Sequence, residues 1–331
     1  MTSRFPTLTR LLGAVALVLP LALIGAEAQA QTKLKFAHVY ETSEPYHTAA
    51  LWAAEEIKKR TNGRYEIQVF PASQLGKETD INQGLTLGTV DIIYTGQAFA
   101  ARTYPPLAIG GAPFMFRDLD HWKKYADSDL LHEMMEAYYK KGGNKPLAVT
   151  YYGVRHTTAN KPIVEPKDMV GLKLRVPDAP LYVMYPKTVG ANATPIAFSE
   201  VYLALQSKTV DAQENPLPTI EAKKFYEVQS HINLTGHITE MLLTIVSGQT
   251  WSKLSDADKK TFETVFREAA ARATAQIEAA EAKLADEFTT KYHKTVVKSD
   301  RAAFAEVFRK EHLGSYATWD KATYDRLQAL K

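Results

Sequence analysis

From Ser255 to Tyr292 no proline or glycine interrupts the chain, and Phe262, Phe266, Ala269, Ala273, Ile277, Ala280, Leu284 and Phe288 recur on one helical face. At about 1.5 Å per residue such a helix spans roughly 55 Å, more than the width of one domain of about 150 residues. It is expected to brace two domains, and a length of 331 residues suits two.

The rest of the chain fits that frame. Leu34 to His38 alternates like a strand, and Ser43 precedes a helical segment with Pro45 near its first turn. Tyr65 to Phe70 is a second strand, residues 77–87 a helix ended by Gly88, and Val90 to Tyr94 a short apolar strand. The order β-α-β-α-β predicts parallel strands joined by helical crossovers. Residues 118–141 read as one helix stopped by Gly142-Gly143, with a strand over Leu147 to Tyr152 after it. From Gly153 a second α/β pattern begins, with strands Leu172 to Val176 and Thr209 to Gln213, helices near Leu181 to Val189 and Ser199 to Gln206, and an apolar β-like run over 240–246.

Composition matters for what it excludes. Without cysteine there can be no disulfide, thiolate nucleophile, iron–sulfur cluster or cysteine-ligated zinc. The net charge of +3 is spread along the chain with no block of like charge, which argues against nucleic acid and against a polybasic membrane contact. No Gly-rich phosphate loop, HExxH, GxSxG or paired-histidine metal spacing occurs, so neither cofactor nor metal is expected. His231 and His237, split by Gly236, read as turn and surface residues.

At the N-terminus Arg4 and Arg10 precede an apolar run from Leu11 to Ile24, and Ala28-Gln29-Ala30 supplies a small-x-small cleavage site. Residues 1–30 therefore read as a secretory signal peptide cut near Ala30/Gln31, since the run is shorter than the roughly 20 residues of a spanning helix. A soluble periplasmic protein is expected, with net charge +2 once Arg4, Arg10 and Glu27 are removed.

Three side chains stand where α/β chains carry ligand groups. Arg155 follows the strand ending at Tyr152, Asn215 follows the strand ending at Gln213, and Arg175 alternates with Leu174. Pattern alone makes Arg175 a solvated strand residue. Brought together, the three would form a carboxylate site, because a guanidinium fork binds both carboxylate oxygens while an amide donates beside it. Spacing alone does not bring them together.

Longer runs carry a resemblance. Gly171-Leu-Lys-Leu-Arg-Val-Pro177, Thr194-Pro-Ile-Ala-Phe-Ser-Glu-Val-Tyr-Leu-Ala-Leu-Gln206, Val210-Asp-Ala-Gln-Glu-Asn-Pro216 and Lys224-Phe-Tyr-Glu-Val-Gln229 closely resemble the substrate-binding proteins of tripartite ATP-independent periplasmic (TRAP) transporters, in the dicarboxylate- and sialic acid-binding branch. The resemblance covers essentially the whole chain after residue 30 and is weakest after about residue 295. It implies an α/β, two-domain periplasmic binding protein fold with a central cleft and the long helix spanning both domains. The first domain would comprise residues 31–152 plus 241–280, the second 153–240 plus 281–331. By the same resemblance Arg175 bridges the ligand carboxylate, Arg155 and Asn215 assist it, and Phe198 lies against the ligand. The first-domain loops hold His38, Tyr40, Glu41, Glu78 and Thr95, the remaining candidates for ligand contact. Tyr94-Thr95-Gly96-Gln97 lacks the glutamate that the sialic acid binders carry, which argues against sialic acid itself.

The implied function is that of a monomeric periplasmic receptor, not an enzyme, which takes an organic acid by its carboxylate and hands it to the small and large membrane subunits of a TRAP transporter. Two other classes compete: an exported hydrolase or lyase acting on an acidic sugar, with Glu41 and Glu78 as acid and base, and a solute sensor docking on a receptor kinase. The ligand stays open at this stage. Two acidic residues would repel a second carboxylate and favour hydroxyl-rich acids, whereas His38 would accept a compact dicarboxylate.

Overall fold

The alternating segments at the start of the chain form β1 (Thr32–Ala37), β2 (Tyr65–Phe70) and β3 (Ile92–Gly96) in a computed structural model that describes Met1, Thr2 and residues 31–331. The apolar run and cleavage site read from the sequence lie outside the described residues. β1 lies parallel between β2 and β3, as helical crossovers require.

Further along, the parallel expectation fails. β4 (Lys145–Ala159) and β8 (His231–Val246) are long antiparallel partners, from Lys145 opposite Val246 to Ala159 opposite His231. β3 joins β8 antiparallel at one end, Gly96 facing Leu242, and β7 (Ala212–Pro216) joins β4 antiparallel at the other, Arg155 facing Pro216. β5 (Lys173–Val176) and β6 (Asn192–Pro195) extend β7 in parallel, while β9 (Thr295–Val297) pairs with the far end of β8. One mixed sheet thus runs in the order β2-β1-β3-β8-β4-β7-β5-β6.

β4 and β8 are longer than the sequence suggests because Gly153 and Gly236 read as breaks, whereas the ladder passes both through shifts of register. Gly153 sits at one shift with φ +123°, and a Cβ there would come within 2.6 Å of Glu281 Oε1 and 2.7 Å of Pro216. β7 starts and ends three residues later than expected, so Asn215 lies inside the strand, as Arg155 lies inside β4. The segment 118–141 is two helices, Leu119–Ala126 and Asp129–Gly142, because the Ser128 hydroxyl accepts from the Leu131 N–H and starts a new one.

The long helix is Asp256–Thr290, opened by Ser255, whose Oγ accepts from the Asp258 N–H. It packs on the helix Pro45–Arg60, on β4 and on the helix Leu217–Ala222. Val265 joins the expected buried stripe, and Ala280 is only half-buried. Thr274 Oγ1 accepts from the Tyr151 N–H at 3.1 Å, and Glu281 accepts from the Val154 N–H and the Tyr151 hydroxyl, each at 2.7 Å. These side chains satisfy two backbone donors beside the β4 register shift.

Candidate functional site

β3 and β7 approach the middle of the β4–β8 pair from opposite ends, so the carboxyl ends of both parallel sets meet there. The cleft between them has about 500 Å³ of empty space, open solvent included, and its walls include Tyr40, Glu78, Gly96, Phe99, Tyr152, Arg155, Arg175, Tyr182, Phe198, Asn215 and Glu240. Three contacts join the segments around it: the Glu41–Lys223 ion pair at 2.6 Å, Arg102 donating to the Asp178 carbonyl at 2.6 Å, and Thr219 donating to Glu44 at 2.7 Å.

Of the expected site residues, Arg155, Arg175, Asn215, Phe198, Tyr40 and Glu78 line this cleft. His38, Glu41 and Thr95 lie outside that lining. His38 is buried against Tyr40, with Nε2 3.2 Å from His47 Nδ1. Burial, with His47 beside it, pushes its pKa down to about 3, so it offers no cation to a dicarboxylate at neutral pH. Glu41 is held by Lys223, and the Thr95 hydroxyl faces Asn82 at 2.9 Å and Glu78 at 3.4 Å.

Arg155 is enclosed by acceptors. Its Nε and Nη2 reach the two carboxylate oxygens of Glu214, Nη2 also reaches the Glu214 carbonyl at 2.8 Å, and Nη1 reaches Glu240 Oε2 at 2.6 Å. One of its five N–H groups remains. Burial alone would raise the Glu214 carboxyl; the Arg155 guanidinium and a hydrogen bond from His237 override this and hold it at about 2. Glu240, which also accepts from the Tyr182 hydroxyl, is raised by burial in spite of Arg155. His237 is no surface residue: it is buried, stacked on Tyr185 at 3.8 Å, with Nε2 3.0 Å from Glu214 and Nδ1 2.8 Å from the Thr235 hydroxyl. Burial keeps its ring neutral.

Arg175 is the opposite case. It is 1% exposed, so the solvated reading that pattern alone suggested fails; Leu174 and Val176 on the same short strand are buried too. Nε and Nη2 both donate to the Ile196 carbonyl, at 2.9 and 2.7 Å, while the buried Nη1 has no partner among the described residues. Among the described residues no carboxylate lies within ion-pairing distance; burial pushes its pKa down to about 10 although Glu214 acts in the other direction. The guanidinium carbon lies 6.0 Å from the centre of the Phe198 ring. Asn215 donates to Gln213 at 2.7 Å and accepts from the Tyr152 hydroxyl at 3.1 Å, which leaves one amide N–H.

Sequence reasoning missed Glu214, Glu240, Tyr152 and Tyr182. Glu214 stands inside the Gln213-Glu-Asn-Pro run, but the strand expected over Thr209 to Gln213 ends before it, whereas β7 contains it. Among the described residues no group of three His, Asp or Glu side chains is arranged to hold a metal ion, and no helix is long and apolar enough to cross a membrane.

Comparison with known proteins agrees with this architecture. The profile of bacterial extracellular solute-binding protein family 7 matches residues 36–318. A solute-binding protein of Roseobacter denitrificans is 37% identical over 248 residues, 75% of this chain and 76% of its own length. The sialic acid-binding periplasmic protein SiaP of Vibrio cholerae is 36% identical over 263 residues, 80% and 82% of the two lengths. Among solved structures, a TRAP periplasmic solute-binding protein of Polaromonas sp. JS666 bound to D-erythronate superposes with a TM-score of 0.87 at 33% identity, covering 91% of this chain and 99% of that one. Another, of Sulfurospirillum deleyianum with bound succinate, gives 0.82 at 28% identity over 90% and 99%.

Proposed function

The chain belongs to family 7 of the bacterial extracellular solute-binding proteins, the receptors of TRAP transporters, and on that premise we propose that its cleft takes an organic acid by the carboxylate, with Arg175 as principal partner. The fold is the two-domain α/β periplasmic binding protein fold, with the central cleft and the long helix. Members of this family are periplasmic transporter substrate-binding proteins that work with membrane permease subunits, not enzymes.

The observation that carries the proposal is a buried guanidinium without a carboxylate. Removing a cation from water costs several kcal/mol even after the protein relaxes. Arg155 is neutralised by Glu214 and Glu240, whereas among the described residues Arg175 has only one carbonyl and the face of Phe198. A ligand carboxylate on the free Nη1 edge would supply the missing charge and form charge-assisted hydrogen bonds in a closed site. The remaining N–H groups of Arg155 and Asn215 would supplement it.

The protein acts as a monomer that begins at or near Gln31 once the signal peptide is cut, and it delivers its ligand to one small and one large membrane subunit. The cleft opens about Tyr152 to Val154 and about Glu240, dividing residues 31–152 plus 241–280 from 153–240 plus 281–331. The β4 register shift at Gly153 supports that hinge. The test is a thermal-shift screen of organic acids with mass spectrometry of the recovered ligand, since binding raises apparent stability with ligand concentration. The expected result is a raised melting temperature with the acid recovered unchanged. Turnover of an acidic sugar, or no response to any carboxylate, would overturn the proposal.

A further inference from the structure

The wall around Gly96 presents oxygen acceptors where the Arg175 end presents N–H donors. Gly96 has no side chain, and a Cβ added there would lie 3.1 Å from the Tyr182 hydroxyl, 3.3 Å from Glu240 Oε1 and 4.0 Å from Glu78 Oε1. All four residues line the cleft. Glu78 Oε1 accepts only from neutral donors, the Gly96 N–H at 3.1 Å and the Thr95 hydroxyl at 3.4 Å. Among the described residues no donor reaches its Oε2 and no Lys or Arg pairs with it. Glu240 is divided between Arg155 and the Tyr182 hydroxyl. The cleft's other charges do not offset this pair: Arg155 is shared with Glu214, Lys77 is exposed, and Asp178 is itself acidic.

We infer that the cleft selects a polyhydroxylated monocarboxylate over a dicarboxylate, with the carboxylate at Arg175 and hydroxyl groups at the far end donating to Glu78 and Glu240. The inference rests on the carboxylate reading of Arg175. A hydroxyl that donates to a carboxylate makes a charge-assisted bond, while a second ligand carboxylate at Gly96 would meet two carboxylates in a site with little water. Burial, with the Glu240 charge nearby, pushes the Glu78 carboxyl up to about 7, so this corner already opposes its own ionisation. The glycine lets the ligand chain approach the backbone closely enough for its hydroxyls to reach both acids.

Two matched pairs of acids test this: D-erythronate against meso-tartrate, and L-galactonate against galactarate. Within each pair the difference is a terminal CH2OH or a terminal carboxylate. Calorimetric titration at pH 8 keeps Glu78 ionised. In whichever pair binds, the monocarboxylate is expected to bind at least about a hundredfold tighter, since juxtaposed like charges cost several kcal/mol and about 1.4 kcal/mol is tenfold in Kd. Glu78→Gln should shrink that gap by about tenfold or more, because the amide removes the charge but keeps an oxygen acceptor. A dicarboxylate that binds as tightly as its partner, and loses its binding in Arg175→Ala, overturns the selection while leaving the carboxylate clamp standing. Failure of all four acids to bind also overturns the selection. Affinity unchanged in Arg175→Ala overturns the clamp and the selection together.

Discussion

Arg155 on β4 and Arg175 on β5 flank β7 in one cleft, both almost fully buried, yet their surroundings are opposite. Around Arg155 two carboxylates, a carbonyl and a neutral histidine complete a network that would stand with or without a ligand. Around Arg175 there is one carbonyl and an aromatic face, and one nitrogen donates to nothing among the described residues. A buried cation with its counter-charges in place belongs to the framework. One without them is poised for an anion from outside. The two arginines of a single site can therefore be separated by what each variant loses: folding stability in one case, affinity in the other.

The largest effect should come from Arg155→Met, which leaves Glu214 and Glu240 buried without their cation. Breaking a buried pair this way costs about 3 to 5 kcal/mol, read by denaturant unfolding of the ligand-free protein. Unchanged stability would erase the contrast. Acid titration sharpens it further. The Glu214 carboxyl is held at about 2, below the ordinary 4.5, so its contribution is fully present above pH 4.5 and is lost as the pH falls toward 2. The stability difference between wild type and Arg155→Met should accordingly narrow over that interval, whereas a constant difference would deny the ion pair its role.

Smaller effects test the other region. Arg175→Lys keeps the charge and loses the fork, at a cost of about 1.5 to 3 kcal/mol of affinity, the range for one hydrogen bond to a charged group. Full affinity in the lysine variant would show that charge alone suffices. Asn215→Ala removes one neutral donor and should weaken binding by about 1 kcal/mol by calorimetry. A loss as large as that of Arg175→Lys would move the centre of the site from β5 to β7.

How far the sequence could be read follows the same division. Arg175, Asn215 and Phe198 lie in local runs of sequence, and all three line the cleft. Arg155's partners are 59 and 85 residues away in Glu214 and Glu240, and they meet it only because β7 and β8 both pair with β4. Glu41 follows a strand, a position where α/β chains carry ligand groups, and its ion-pair partner Lys223 lies 182 residues on, where no local pattern shows it. The long helix was legible from an uninterrupted stripe. The lengths of β4 and β8 were not, because a glycine that ends a strand and one that carries a bulge look alike until the partner strand is known.

Calorimetry of Arg175→Ala with the best-bound acid, beside the melting temperature of the ligand-free protein, tests the central claim most directly. Removing the guanidinium leaves a ligand carboxylate buried without its main partner, so affinity should fall by about 2 to 5 kcal/mol, roughly thirtyfold to several thousandfold in Kd. The ligand-free protein should melt at or above the wild-type temperature, because the substitution removes a buried charge that lacks a counter-ion. Near-wild-type affinity in a folded Arg175→Ala would contradict the account.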